Sequence, residues 1–123
     1  MAIVGIMSIK AAFGWIKVKG DKYTNDIVIH ADGKITKRDK KKSKDLKAVY
    51  GHTPLSEHEL RFLSKEDFDV LYVGSGHYAS LPITPKALKV LTKYNTIILP
   101  TPEVISKIEQ EQKRFIAIIH VTC

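Results

Sequence analysis

The residues with the clearest capacity for chemistry are a glycine bend and two proline-led helix openings. Gly74-Ser75-Gly76 stops the apolar run Asp69-Val70-Leu71-Tyr72-Val73, while Thr84-Pro85 and Thr101-Pro102 each begin a helical pattern. Backbone N–H groups left free at a helix start, with a glycine bend nearby, make a concavity that holds small anions. The expected site is therefore an anion nest of Gly74, Ser75, Gly76 and Thr101, with His77 placed to donate to the bound group. The bend lacks the Gly-Lys-Ser/Thr of a P-loop and the third glycine of a dinucleotide fingerprint. The plainer reading of the same residues is a tight turn that needs glycine conformations.

A second candidate is electrostatic. Residues 34–47 hold Lys34, Lys37, Arg38, Lys40, Lys41, Lys42, Lys44 and Lys47 against Asp39 and Asp45, so this segment carries six of the seven net positive charges of the chain. Such a run can attract nucleic acid, a phosphorylated ligand or an acidic partner. The alternative nucleic-acid site is Lys37, Arg38, Lys40, Lys41, Lys42 and Lys44. The segment contains no aromatic residue on which a base could stack, and a solvated connecting loop is the simpler reading.

Other chemistries find less support. His30, His52, His58, His77 and His120 show no metal-ligand spacing, and the two-histidine zinc-protease helix motif fails because Arg61-Phe62 follow His58-Glu59. No metal or cofactor is expected. Cys123 is the single cysteine, which excludes an intrachain disulfide framework and any multi-cysteine zinc site. His120 and Cys123 lie three apart, so on a straight strand they face opposite sides, and a nucleophilic dyad would need a bend. Glu57, Glu59, Glu66 and Asp67 read as solubilising charge. No catalytic constellation emerges.

These residues need elements to position them. Phe13 to Lys19 reads as a strand with Ile16 and Val18 on one face and Lys17 and Lys19 on the other, followed by a Gly20-Asp21 turn. Asp26 to His30 is a compact apolar strand. Asp32-Gly33 has the composition of a type I′ hairpin turn, returning antiparallel at Ile35 to Arg38. Ser56-Glu57-His58-Glu59 fits a capping box opening a helix over Leu60 and Leu63. Thr84 caps a second helix whose core face is Ala87, Leu88 and Leu91, and Thr101 caps a third that runs to about Gln112. Strands at 69–73, 97–99 and 115–119 alternate with these helices. Continuous apolar strands between helices imply a mostly parallel or mixed sheet covered on both faces.

With 123 residues, 44% of them hydrophobic and 27% charged, the composition is that of a folded globular chain. The expected architecture is α/β: a single three-layer domain over 1–123, a central sheet flanked by helices, and an N-terminal antiparallel hairpin unit. The apolar run Ala2 to Met7 has no basic stretch before it, and Lys10 breaks the pattern ahead of Ala11-Ala12, so it reads as a buried or edge segment rather than an export signal. Apolar runs fall short of the ~20 residues of a membrane span. The expected setting is a reducing cytoplasm.

The ending Arg114-Phe115-Ile116-Ala117-Ile118-Ile119-His120-Val121-Thr122-Cys123 resembles that of the Mth-type domain family, whose members close with a basic residue, an apolar strand and His-x-Thr-Cys. Tyr23, Asp26, Ile27 and Val28 resemble its early strand, Asp69 to Gly76 its strand and glycine loop, and Thr101 with Glu103 its helix start. Ser75 stands where threonine is usual, Val104 where alanine is usual, and Glu109 where an asparagine is often found. The resemblance implies a three-layer α/β fold and no established enzyme activity; its better-known members are accessory or assembly proteins. The expectation is a non-catalytic accessory or binding domain that takes a small anionic ligand or a protein partner in a crevice at the strand ends. A small-molecule enzyme using that crevice, with His77 or His120 as base, and a nucleic-acid binder are the alternatives.

Overall fold

A computed structural model describes residues 8–123 of the protein; the run Ala2 to Met7 lies outside the described residues. Three short strands, β1 (Ile9–Ala12), β2 (Trp15–Val18) and β3 (Asp21–Tyr23), form an antiparallel sheet in the order β1-β2-β3. Period-two alternation is plain in it: Ile9, Ile16 and Val18 are buried while Lys10 and Lys17 face solvent. The strand expected over Phe13–Lys19 is shorter, because Phe13-Gly14 is the turn that joins β1 to β2. Asp21, expected in a turn, is the first residue of β3.

Among the described residues the main sheet has five strands: β4 (Ile27–Ile29), β5 (Ile35–Lys37), β6 (Val70–Gly74), β7 (Thr96–Leu99) and β8 (Phe115–Ile119), in the order β5-β4-β8-β6-β7. β6 runs parallel to β7 and to β8, while β4 is antiparallel to β5 and to β8. The sheet is therefore mixed. In the β4–β5 hairpin Gly33 takes φ +88 but Asp32 keeps a negative φ, so the turn is not type I′. Gly33 N–H donates to His30 O and His30 N–H to Lys34 O, the pattern of a type I turn followed by a glycine bulge.

Both faces of the main sheet are covered. On one, Ile27, Ile29, Tyr72, Ala117 and Ile119 pack with the three-stranded sheet and with helix α3 (Thr101–Gln110) through Val104, Ile105 and Ile108. On the other, Val28, Leu71, Val73, Ile116 and Ile118 meet Leu55, Leu60, Leu63, Leu81 and helix α2 (Pro85–Leu91) through Ala87 and Leu91. Each of these large aliphatic side chains contributes roughly 1.5–3 kcal/mol by leaving water. Leu88, expected on the core face of α2, is 45% exposed. Thr84 caps α2 as expected, accepting from Ala87 N–H at 3.1 Å, with Pro85 as the first helical residue.

The stretch between β5 and β6 holds short pieces: 3₁₀ turns at Lys40–Leu46, Glu57–Glu59 and Arg61–Lys65, and the single helical turn α1 (Lys47–Tyr50). The capping box at Ser56 does not form. Glu57–Glu59 is one 3₁₀ turn with no side-chain cap, because Ser56 and Glu59 are both drawn into a buried polar cluster. No helix among the described residues is long and apolar enough to cross a membrane.

Candidate functional site

The parallel β6, β7 and β8 bring the glycine bend and the start of α3 together. A Cβ on Gly74 would stand 3.0 Å from Thr101 Oγ1. The rim exists, but its N–H groups are already committed. Ser75 N–H donates to Leu99 O at 2.9 Å, Gly76 N–H to Thr101 Oγ1 at 2.9 Å, and His77 N–H to Thr122 O at 2.8 Å. Tyr78 N–H and Ser80 N–H both donate to Cys123 O, at 3.0 and 2.9 Å. Thr101 is the first residue of α3 rather than its cap; its N–H donates to Gly76 O and its hydroxyl to His120 O.

The nest expected from Gly74, Ser75, Gly76, His77 and Thr101 is thus corrected to an internal junction. The physical reason is topological. β8 lies beside β6, so the chain leaving β8 must cross the same rim, and residues 120–123 take the donors an anion would need. The ring of His77 lies against Phe13, with ring centroids 6.2 Å apart, and its Nε2 is buried without a hydrogen-bond partner among the described residues.

A buried polar network lies on the far side of the same segment. Arg38 is 5% exposed, and its guanidinium forks onto Glu59, Nε to Oε1 at 2.7 Å and Nη2 to Oε2 at 2.9 Å. Nη2 also donates to Pro54 O at 2.7 Å, and Nη1 to Asp26 Oδ2 at 3.0 Å. Glu59 further accepts from the Ser43 hydroxyl, which in turn accepts from Ser56. Asp26 accepts from Val121 N–H at 2.9 Å and from His120 Nδ1 at 2.7 Å. Bidentate, charge-assisted geometry of this kind is what lets charges persist in an interior.

Arg38 therefore leaves the proposed nucleic-acid surface: two buried carboxylates hold it inward. Glu59 is likewise no solubilising charge but 7% exposed and paired. Burial works against ionisation at Asp26, yet His120, the Val121 N–H and the Lys40 ammonium outweigh it and lower its pKa from 3.8 to about 2. Burial also opposes the charge on Arg38, and Glu59 and Asp26 overcome it, so its pKa rises.

The lowered pKa makes stability depend on pH. The folded pKa of Asp26 lies below the unfolded one, so its contribution is complete above pH 4 and is lost as pH falls from about 4 through about 2. That contribution is about 2 kcal/mol. Acid denaturation of the protein should show this loss, and Asp26→Asn should remove that part of the slope; an unchanged slope in the variant contradicts it.

The network fixes the basic segment. Ser43, 1% exposed, ties the 3₁₀ turns at Lys40–Leu46 to Glu59, while Lys37, Lys40, Lys41, Lys42 and Lys44 remain exposed. Lys37, Lys40 and Lys41 border a cleft of about 450 Å³ with Asn25 and Asp26, and Lys40 Nζ stands 3.5 Å from Asp26. A third cluster joins His30 to Glu66 and Thr36 beside Arg114. The hairpin register carried a usable sign of the Asp26–Arg38 pair, since Ile27 opposite Lys37 puts Asp26 opposite Arg38. Glu66 lies 36 residues from His30, and no local pattern links them.

A mixed five-stranded sheet closed on one face by a small antiparallel sheet and a helix places the protein in the α/β class. A solved structure of a conserved hypothetical protein from Pyrococcus horikoshii is 38% identical, with TM-score 0.82, matching 95% of this chain and 100% of that one. The chain belongs to the family of that protein. A second solved structure, the protein MT938, is 32% identical with TM-score 0.76, matching 96% of this chain and 98% of its own. A third, from Bordetella parapertussis, is 16% identical over 94% of this chain and 96% of that one, with TM-score 0.53, and shares the fold. Comparison with protein-family models gives no match, and neither does comparison with curated proteins.

Proposed function

We propose that the protein is an accessory binding domain that recognises an acidic partner protein through the lysine surface at residues 37–44. The observation that carries this is the anchoring of that surface: five exposed lysines sit on backbone held from beneath by Ser43, Glu59 and Arg38. Positive charge on an ordered support steers an acidic partner and costs less ordering on binding than a loose arm would. The cleft beside Lys37, Lys40 and Lys41 can receive a carboxylate side chain of such a partner. The resemblance to Mth-type domains, whose better-known members are accessory or assembly proteins, supports the same reading. A partner protein is favoured over nucleic acid because residues 34–47 offer no aromatic ring for a base.

The test compares poly-L-glutamate with single- and double-stranded DNA as ligands at low and physiological salt. Polyglutamate should bind with steep salt dependence, and a Lys40→Glu/Lys41→Glu/Lys44→Glu variant should bind it at least about tenfold more weakly. No polyglutamate binding at low salt, or tighter binding of DNA, overturns the proposal.

A further inference from the structure

Glu66, His30 and Thr36 form a carboxylate–imidazole–hydroxyl array on the wall of an open cleft of about 360 Å³. Each part is fixed. Glu66 Oε1 accepts from Ala31 N–H at 3.0 Å, which leaves Oε2 for His30 Nδ1 at 2.7 Å. A proton held on Nδ1 by the carboxylate leaves the lone pair of Nε2 to accept from the Thr36 hydroxyl, 2.8 Å away. The Phe62 ring packs against the imidazole in a T-shaped arrangement, 5.3 Å between ring centroids. Thr36 is exposed on β5, an outer strand of the main sheet, and β-branching restricts its χ1.

A similar array, Asp26–His120–Thr122, differs where it matters. Its carboxylate also accepts from Arg38, its imidazole is 9% exposed, and its Nε2 to hydroxyl distance is 3.2 Å. The surface array combines the shorter hydrogen bond with open access.

We propose that Thr36 is a nucleophile toward small acyl esters, with His30 as its general base and Glu66 as the positioning residue. In the first step Thr36 Oγ1 bonds to the acyl carbon, its proton passes to His30 Nε2, and the carbon–oxygen bond to the alcohol breaks as that proton moves to the departing oxygen. In the second, water gives its proton to His30 Nε2 and its oxygen to the acyl carbon. The bond to Thr36 breaks, and Thr36 recovers the proton. The sum is ester plus water giving acid plus alcohol. Lys34 and Arg114 line the same cleft together with Asp32 and Asp67, and Arg114 Nη1 stands 3.6 Å from Asp67 Oδ2. The cleft volume is at the lower end for small-molecule sites, which selects short acyl groups. This activity is independent of the lysine surface.

The probe is p-nitrophenyl acetate with the full chain near pH 8, following nitrophenolate release and mapping the acetyl group by peptide mass spectrometry. Release should exceed that of Thr36→Val by about 100-fold or more, Thr36→Ser should retain it, and His30→Gln should lose it. Glu66→Gln should shift the pH–rate profile, an effect that loss of a mere structural contact would not produce. Thr36 is exposed, so Thr36→Val should melt like the parent and serve as the folded control. Two results overturn the proposal. One is equal release by the parent and Thr36→Val. The other is acetyl found on lysines or on His30 with none at position 36, either in the parent or in Thr36→Ser.

Discussion

Replacing Arg38 by methionine should lower the unfolding free energy by about 3–5 kcal/mol, the usual cost of removing one partner from a buried ion pair. Methionine fills much of the volume of the arginine stem but leaves Asp26 and Glu59, 2% and 7% exposed, without their shared cation. It also strips a donor from Pro54 O. Against a total stability of about 5–15 kcal/mol this is a large fraction. Urea denaturation measures it, with Lys37→Met as the neighbouring exposed control, which should shift stability by less than about 0.5 kcal/mol. A loss no greater than that of Lys37→Met contradicts the assignment.

Gly76→Ala should cost about 2–5 kcal/mol, for two separate reasons. Gly76 has φ +101, a conformation that strains any residue with a Cβ. The added atom would also lie 2.2 Å from the backbone carbon of Cys123, 2.4 Å from its oxygen and 2.8 Å from His120 Cδ2. Residues 121–123 would have to move, releasing the N–H groups of His77, Tyr78 and Ser80 that donate to them. Gly20→Ala separates the two effects. Gly20 has φ +88 but nothing within 4 Å of the position of a Cβ, so it should show the backbone strain alone, about 1 kcal/mol. Hydrogen exchange at His77 and Tyr78 should rise in the Gly76 variant and stay unchanged in the Gly20 variant. Equal stability losses in the two would mean that the crowding at Cys123 has no weight.

Much of the fold was legible in the pattern of residues. The apolar runs at 27–29, 70–73 and 115–119 declared the buried strands, and Thr84-Pro85 declared a helix start, because period and capping chemistry are local. The 3₁₀ turns at 40–46 and 57–65 were not legible. Ser56 and Glu59 satisfy a capping pattern by type and spacing, but a buried arginine twenty-one residues away competes for Glu59 and wins. The candidate site failed for the same kind of reason. A glycine bend and a helix start do converge, as the parallel strands require, yet whether their N–H groups stay free depends on which strand lies next to β6. That placement, with β8 between β4 and β6, is a property of long-range pairing that no short window of residues carries.

The same placement orders events during synthesis. β4 with β5, and β6 with β7, can each pair as soon as they emerge, but they share no edge until β8 enters between them. Asp26 then meets Val121 across 95 residues of chain. Until that closure, two half-sheets present unpaired apolar edges, the condition in which nascent chains aggregate or recruit chaperones. Of the described strands, the one that unites the molecule is the one the ribosome delivers last.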